Sequence, residues 1–202
     1  MNITVYCGSH PGASEVYLQA ARTLGTWIGE NGHTLVYGGS SVGLMGAISR
    51  AVLDAGGRVI GVEPQFFIDA GVAQHDLTEL YVVETMAARK AKMIELGNVF
   101  VALPGGVGTL EEISEIMSRI RLNLSASPCF FLSLDGFYRP MQDLLNTMEG
   151  AGFLPGYERT EFLFPETVDE LTARLATFDP HSARYTDEAH WHEPDWMEGQ
   201  IG

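Results

Sequence analysis

Pro104, Gly105, Gly106, Val107, Gly108 and Thr109 run directly into Leu110, Glu111 and Glu112. Glycines let a backbone turn sharply and approach a ligand closely. Where such a turn opens a helix, free N–H groups and the helix dipole point the same way and suit an anion. Glu112 lies one turn into that helix. A phosphate cradle with a carboxylate beside it suggests chemistry on a phosphorylated small molecule, the carboxylate acting as general base or as stabiliser of a cation. The same residues admit a plainer reading. Thr109 to Glu112 spells T-x-x-E, a capping box in which both side chains satisfy the first amides of the helix.

Two more glycine turns follow apolar runs, Gly8-Ser9 and the stretch Gly38, Gly39, Ser40, Ser41, Val42, Gly43 to Gly46. In open parallel sheets, ligands bind beyond the carboxyl ends of the strands, so all three turns are expected on one edge. The spacing Gly39, Gly43, Gly46 is wrong for the dinucleotide fingerprint, and no Gly-Lys-Ser/Thr of a phosphate-binding P-loop occurs. Arg89 and Lys90 sit on a helical stretch that precedes the central strand. They read either as a solvated basic face with Lys92 or as a fork that fixes a phosphate or the Glu112 carboxylate. Glu111 and Glu115 read as solvated helix faces. No histidine pair has metal-ligand spacing, and His190-Trp191-His192 lies near the C-terminus.

The chain has 202 residues, 46% hydrophobic and 19% charged, which suits one soluble α/β domain with a sizeable core. A formal net charge of −14 argues against nucleic acid or an anionic membrane as partner, though not against a small anion held locally. The apolar runs are too short to span a bilayer. The opening Met-Asn-Ile-Thr-Val-Tyr reads as a strand without a basic leader, so a cytoplasmic protein is expected. Cys7 and Cys129 sit in apolar runs and are read as buried free thiols, a disulfide being the alternative.

Strands are expected at 2–7, 34–37, 58–63, 80–83, 99–103, 129–134 and 162–164. Helices are expected near 14–31, 44–55, 85–96, 109–123, 138–148 and 167–178. Residues 64–78 read as irregular, with Phe66, Phe67 and Ile68 as a lid or pocket wall. The alternation calls for an α/β fold with a parallel sheet and helices on both faces. One domain over residues 1–179 is expected, followed by an extended or disordered tail over 180–202, or an arm laid on a partner subunit.

These residues resemble the LONELY GUY family. Residues 104–112 match its P-G-G-x-G-T-x-x-E signature, and Met86-Ala87-Ala88-Arg89-Lys90 matches M-x-x-R-K. Residues 37–46 match Y-G-G-x-S-x-G-L-M-G, and Cys7-Gly8-Ser9 matches the N-terminal C-G-S. The resemblance covers roughly residues 2–154. It implies a Rossmann-like, doubly wound fold, a homodimer with sites near the subunit interface, and no metal or organic cofactor. It also implies hydrolysis of the N-glycosidic bond of a purine nucleoside 5′-monophosphate to free base and ribose 5-phosphate. Carried over by position, Arg89 and Glu112 are the catalytic pair. Gly105, Gly106, Gly108 and Thr109 hold phosphate and ribose, Ser40, Ser41 and Gly43 line the site, and Lys90 supports it. Gly8, Ser9, Gly39, Met86 and Ser118 complete the substrate contacts.

The chain departs from the pattern in two places. Ser118-Arg119-Ile120-Arg121-Leu122-Asn123 stands where relatives usually carry T-W-x-Q-L-G. The family's P-R-E-I is absent, with Asp69 as a partial substitute for its acid. Both the prenylated adenine and plain AMP therefore stay open as substrates. A non-catalytic nucleotide or phosphorylated-cofactor binder of the same fold is the alternative. A lysine decarboxylase would need a pyridoxal phosphate lysine, for which no convincing setting is seen.

Overall fold

The computed structural model describes residues 1–122, 124 and 127–179. The expected tail at 180–202 and position 123 lie outside the described residues. In chain order the elements are β1 (Asn2–Tyr6), α1 (Glu15–Glu30), β2 (Thr34–Tyr37), α2 (Gly43–Asp54), β3 (Arg58–Pro64) and α3 (Gln65–Asp69). Then come β4 (Glu79–Val83), α4 (Met86–Leu96), β5 (Val99–Ala102), α5 (Val107–Arg121) and β6 (Cys129–Phe131). The last are α6 (Arg139–Gly150), α7 (Gly156–Arg159), β7 (Phe162–Leu163) and α8 (Val168–Thr177). Among the described residues no helix is long and apolar enough to cross a membrane.

All seven strands are parallel, in the order β4-β3-β2-β1-β5-β6-β7. The order reverses between β1 and β5, and such a switch point opens a crevice at the strands' carboxyl ends. Successive side chains on a strand point to opposite faces, and the two cores follow that alternation. Ile3, Val5, Leu35, Tyr37, Val99 and Val101 pack with Leu24 and Ile28 of α1, Ile48 and Val52 of α2, and Leu171 and Leu175 of α8. Tyr6, Val36, Ile60, Val62, Phe100 and Ala102 pack on the other face with Met93 and Ile94 of α4 and Ile113, Ile116 and Ile120 of α5. The sheet is thus covered on both faces, as the near-continuous apolar strands require.

Residues 65–69, read as irregular, form the single turn of α3. A larger correction concerns α5. Its N-cap is Gly106, which has no side chain to cap with, and its first intrahelical bond runs from the Leu110 N–H to the Gly106 carbonyl at 3.1 Å. Thr109 and Glu112 therefore lie inside the helix, and the capping-box reading fails. By contrast, Ser14 and Thr85 do cap α1 and α4 by accepting from Val16 and Ala88. Cys7 and Cys129 are buried free thiols.

Candidate active site

The three glycine turns meet at the switch point and are tied to each other through Gly8. Its N–H donates to the Pro104 carbonyl and its carbonyl accepts from the Leu44 N–H, both at 3.1 Å. The close approach demands glycine at specific places. A Cβ on Gly105 would run into the Thr109 side chain and the Gly8 backbone. A Cβ on Gly43, whose φ is +61°, would overlap the backbone of Ser9. At Gly106 and Gly108 a Cβ would meet open space. The first amides of α5, at Val107, Gly108 and Thr109, have no carbonyl inside the helix to reach. Free amides at a helix N-terminus are the geometry that suits an anion.

Behind the cradle lies a cavity of about 540 Å³. Arg89 crosses its floor, 7% exposed. Its Nε donates to the Val62 carbonyl and its Nη2 to the Gly38 carbonyl, each at 3.1 Å. A Cβ on Gly38 would displace that guanidinium. Nη1 lies 3.6 Å from Glu112 Oε1, an ion pair rather than a hydrogen bond. Arg89 is thus buried rather than part of a solvated face, but its fork engages two backbone carbonyls and offers Glu112 a single nitrogen.

Glu112 is 8% exposed. Burial pushes its carboxyl up to about 7, while Arg89 opposes that shift and Glu111 adds to it. A carboxyl balanced there suits general-base work at neutral pH. Tyr6 and Glu63, both on the cavity wall, each hold a buried polar atom without a hydrogen-bond partner among the described residues. Buried polar groups are ordinarily satisfied, so two unsatisfied ones on residues that line one cavity are unusual. Burial keeps the Cys7 thiol protonated, well above its ordinary range.

Of the residues singled out from sequence, Gly8, Ser9, Ser40, Met86, Arg89, Gly106, Gly108, Thr109 and Glu112 line the cavity. Gly39, Ser41, Gly43, Lys90, Gly105 and Ser118 do not. Gly39, with φ +86°, backs against Glu63, and the Ser41 hydroxyl donates to the Val72 carbonyl. Gly105 lines an adjoining cleft with Gly8, Ser9 and His10. Lys90 is clamped by Glu111 and Glu115, so those two acids are not merely solvated. Ser118 is exposed and donates to the Ser114 carbonyl, two turns from Glu112. Phe67 does form wall, while Phe66 is 50% exposed. Sequence reasoning missed Glu63. A carboxylate closing the apolar run Val59 to Val62, at the carboxyl end of a parallel strand, was the available signal.

Comparison with known proteins identifies the family. Residues 45–175 match a family model described as "Possible lysine decarboxylase". The cytokinin riboside 5′-monophosphate phosphoribohydrolase of Rhodococcoides fascians is 41% identical over 175 residues, 86% of this chain and 88% of that protein. The rice protein of the same name, LOG of Oryza sativa subsp. japonica, is 39% identical over 178 residues, 88% of this chain and 74% of that one. Among solved structures, the molybdenum cofactor carrier protein of Chlamydomonas reinhardtii superposes with a TM-score of 0.65 at 21% identity, covering 87% of this chain and 95% of that one. The molybdenum cofactor binding protein of Rippkaea orientalis gives 0.65 at 20%, covering 87% and 97%. These two likenesses establish the Rossmann-like fold alone. With the matched family model and relatives this similar over most of their length, the chain belongs to the LONELY GUY family.

Proposed function

We propose that this protein hydrolyses the N-glycosidic bond of purine nucleoside 5′-monophosphates carrying adenine or N6-prenyladenine, releasing the base and ribose 5-phosphate. The observation that carries the reading is the buried Glu112 carboxylate, paired with Arg89 and set one turn behind an uncapped helix N-terminus. The relatives' names supply the substrate class.

The cradle at Gly106, Gly108 and Thr109 takes the 5′-phosphate. Cleavage develops positive charge on the ribose ring, as in other glycoside hydrolyses. Glu112 stabilises that charge and accepts the proton of the attacking water. Arg89 is a positioning residue: it holds Glu112 toward the ionised form and aims it. Phosphate binding supplies remote binding energy that is used at the anomeric carbon.

The apolar walls, with Met45, Phe67, Val72 and Met86, suit a purine with or without a prenyl chain. A decarboxylase reading finds no support at either lysine. Lys90 and Lys92 are each paired with carboxylates, which hold their ammonium groups above the ordinary range. Schiff-base chemistry needs the opposite shift. The protein works as a homodimer, with Met86, Val107 and Leu110 exposed beside the cavity mouth as the apolar surface to be covered.

Chromatography of reactions with AMP and N6-isopentenyl-AMP tests the proposal. Free adenine or isopentenyladenine with equimolar ribose 5-phosphate is the expected outcome. Nucleotide bound and recovered intact would show a binding protein instead.

A further inference from the structure

Glu63 stands at the carboxyl end of β3 and is 1% exposed. It forms wall of the same cavity as Glu112 yet makes no hydrogen bond and no ion pair within 4 Å among the described residues. Arg89 separates the two acids. Its Nε and Nη2 anchor on the carbonyls of Val62 and Gly38, adjoining Glu63, and its Nη1 faces Glu112. Two carboxyls facing one cavity, only one of them ion-paired, resemble the acid and base of glycoside hydrolysis. The ion pair favours the carboxylate at Glu112, which leaves Glu63 the better placed of the two to carry a proton.

We infer that Glu63 is the general acid that protonates the departing purine; this rests on the phosphoribohydrolase reading above. The C1′–N9 bond breaks and its electron pair goes to the base. The Glu63 O–H proton passes to a purine ring nitrogen, so the base leaves neutral. Water oxygen bonds to C1′ and its proton goes to the Glu112 carboxylate. Glu63 ends as carboxylate and Glu112 as acid, and exchange with solvent resets both. No further reactant is needed.

As at Glu112, burial favours the protonated form of Glu63. Burial raises its carboxyl to about 7, with Arg89 opposing. Of the other titratable groups around the cavity, Tyr6 at the end of β1, Cys7 just after it and Tyr37 at the end of β2 stay protonated far above neutral pH, and Glu111 of α5 lines the cavity beside Glu112. From α3 the cavity receives Phe67, and from α2 Met45, both apolar.

The test is leaving-group dependence. A purine needs protonation to leave, whereas 4-nitrophenolate does not. Glu63→Gln keeps a hydrogen-bond donor but has no proton to transfer. On AMP its kcat is expected to fall about 100-fold or more with KM little changed. On 4-nitrophenyl β-D-ribofuranoside 5-phosphate the loss is expected to be several-fold at most. Wild-type pH profiles give a second readout independent of that variant: kcat for AMP declines above neutral pH, and the nitrophenyl substrate lacks that limb. Equal losses on both substrates, no loss on AMP, or matching pH profiles would overturn the inference while leaving the phosphoribohydrolase reading intact. If wild-type protein cleaves neither substrate, that reading and this inference fall together.

Discussion

Glu112 is asked to be both buried and charged, and the two demands oppose each other. Burial favours the neutral acid and Arg89 the carboxylate. Drawing the cation away from Glu112 is therefore expected to disable the base without touching the cradle. Arg89→Lys cannot reach the Val62 and Gly38 carbonyls and Glu112 together, because an ammonium lacks the planar fork. We predict at least a 100-fold loss of kcat, with nucleotide binding by calorimetry reduced far less. The buried acids also make stability depend on pH. Glu63 has a folded value near 7 against an ordinary 4.5. Between those values the folded chain keeps a proton that the unfolded chain releases, so stability falls as pH rises through the window. Glu63→Gln is expected to be more stable than wild type at pH 8 by about 1–3 kcal/mol in denaturant melts. The difference should vanish near pH 4.5. A variant no more stable than wild type at pH 8 would contradict the burial cost. At this scale Arg89 and Glu112 were legible because their motif spacing is local. Glu63 was not, because its neighbours Gly39 and Arg89 come from other strands and helices.

At the scale of elements, the N-terminus of α5 separates glycines that build the fold from glycines that serve a ligand. Gly43 has a left-handed φ and the Ser9 backbone where its Cβ would go. Gly43→Ala is expected to cost about 1–3 kcal/mol of stability in thermal or denaturant melts. Gly108 lies in the first turn of α5 with open space around it. Gly108→Ala is expected to hold or raise the melting temperature, since Ala suits a helix better by up to about 1 kcal/mol. The same variant should raise KM for AMP several-fold, because the new methyl stands in the cradle. A lower melting temperature with unchanged KM would reverse the two assignments. Strand and helix positions were readable almost throughout, because apolar runs of four or five residues alternate with 3.6-residue periodicity. The start of α5 was misread by two residues. Thr109 and Glu112 spell a capping box, but the turn leaves Gly106 as the last non-helical residue, and tertiary geometry overrode the local signal. The run 65–69 escaped because Phe66, Phe67 and Ile68 give no helical stripe.

At the scale of the whole molecule, the proposed reaction requires a chain with a net charge of −14 to hold a dianionic phosphate through one local cradle. The 5′-phosphate should therefore be indispensable. We predict kcat/KM for adenosine at least about 100-fold below that for AMP, on the ground that remote binding energy is used in the transition state. Equal values would remove the cradle from the mechanism. Val107 and Leu110 are exposed, and the proposed dimer would cover them. Leu110→Glu is expected to yield monomers in light scattering together with lost activity, whereas a fully active monomer would refute the dimer. The central claim is that the Glu112 carboxylate, aimed by Arg89, carries the glycosidic cleavage. It is tested most directly by comparing wild type with Glu112→Gln in one assay of free base from AMP, with AMP affinity measured on the same samples. The account predicts that the variant binds AMP within a few-fold of wild type and releases base at least about 100-fold more slowly. Base release at the wild-type rate would contradict it.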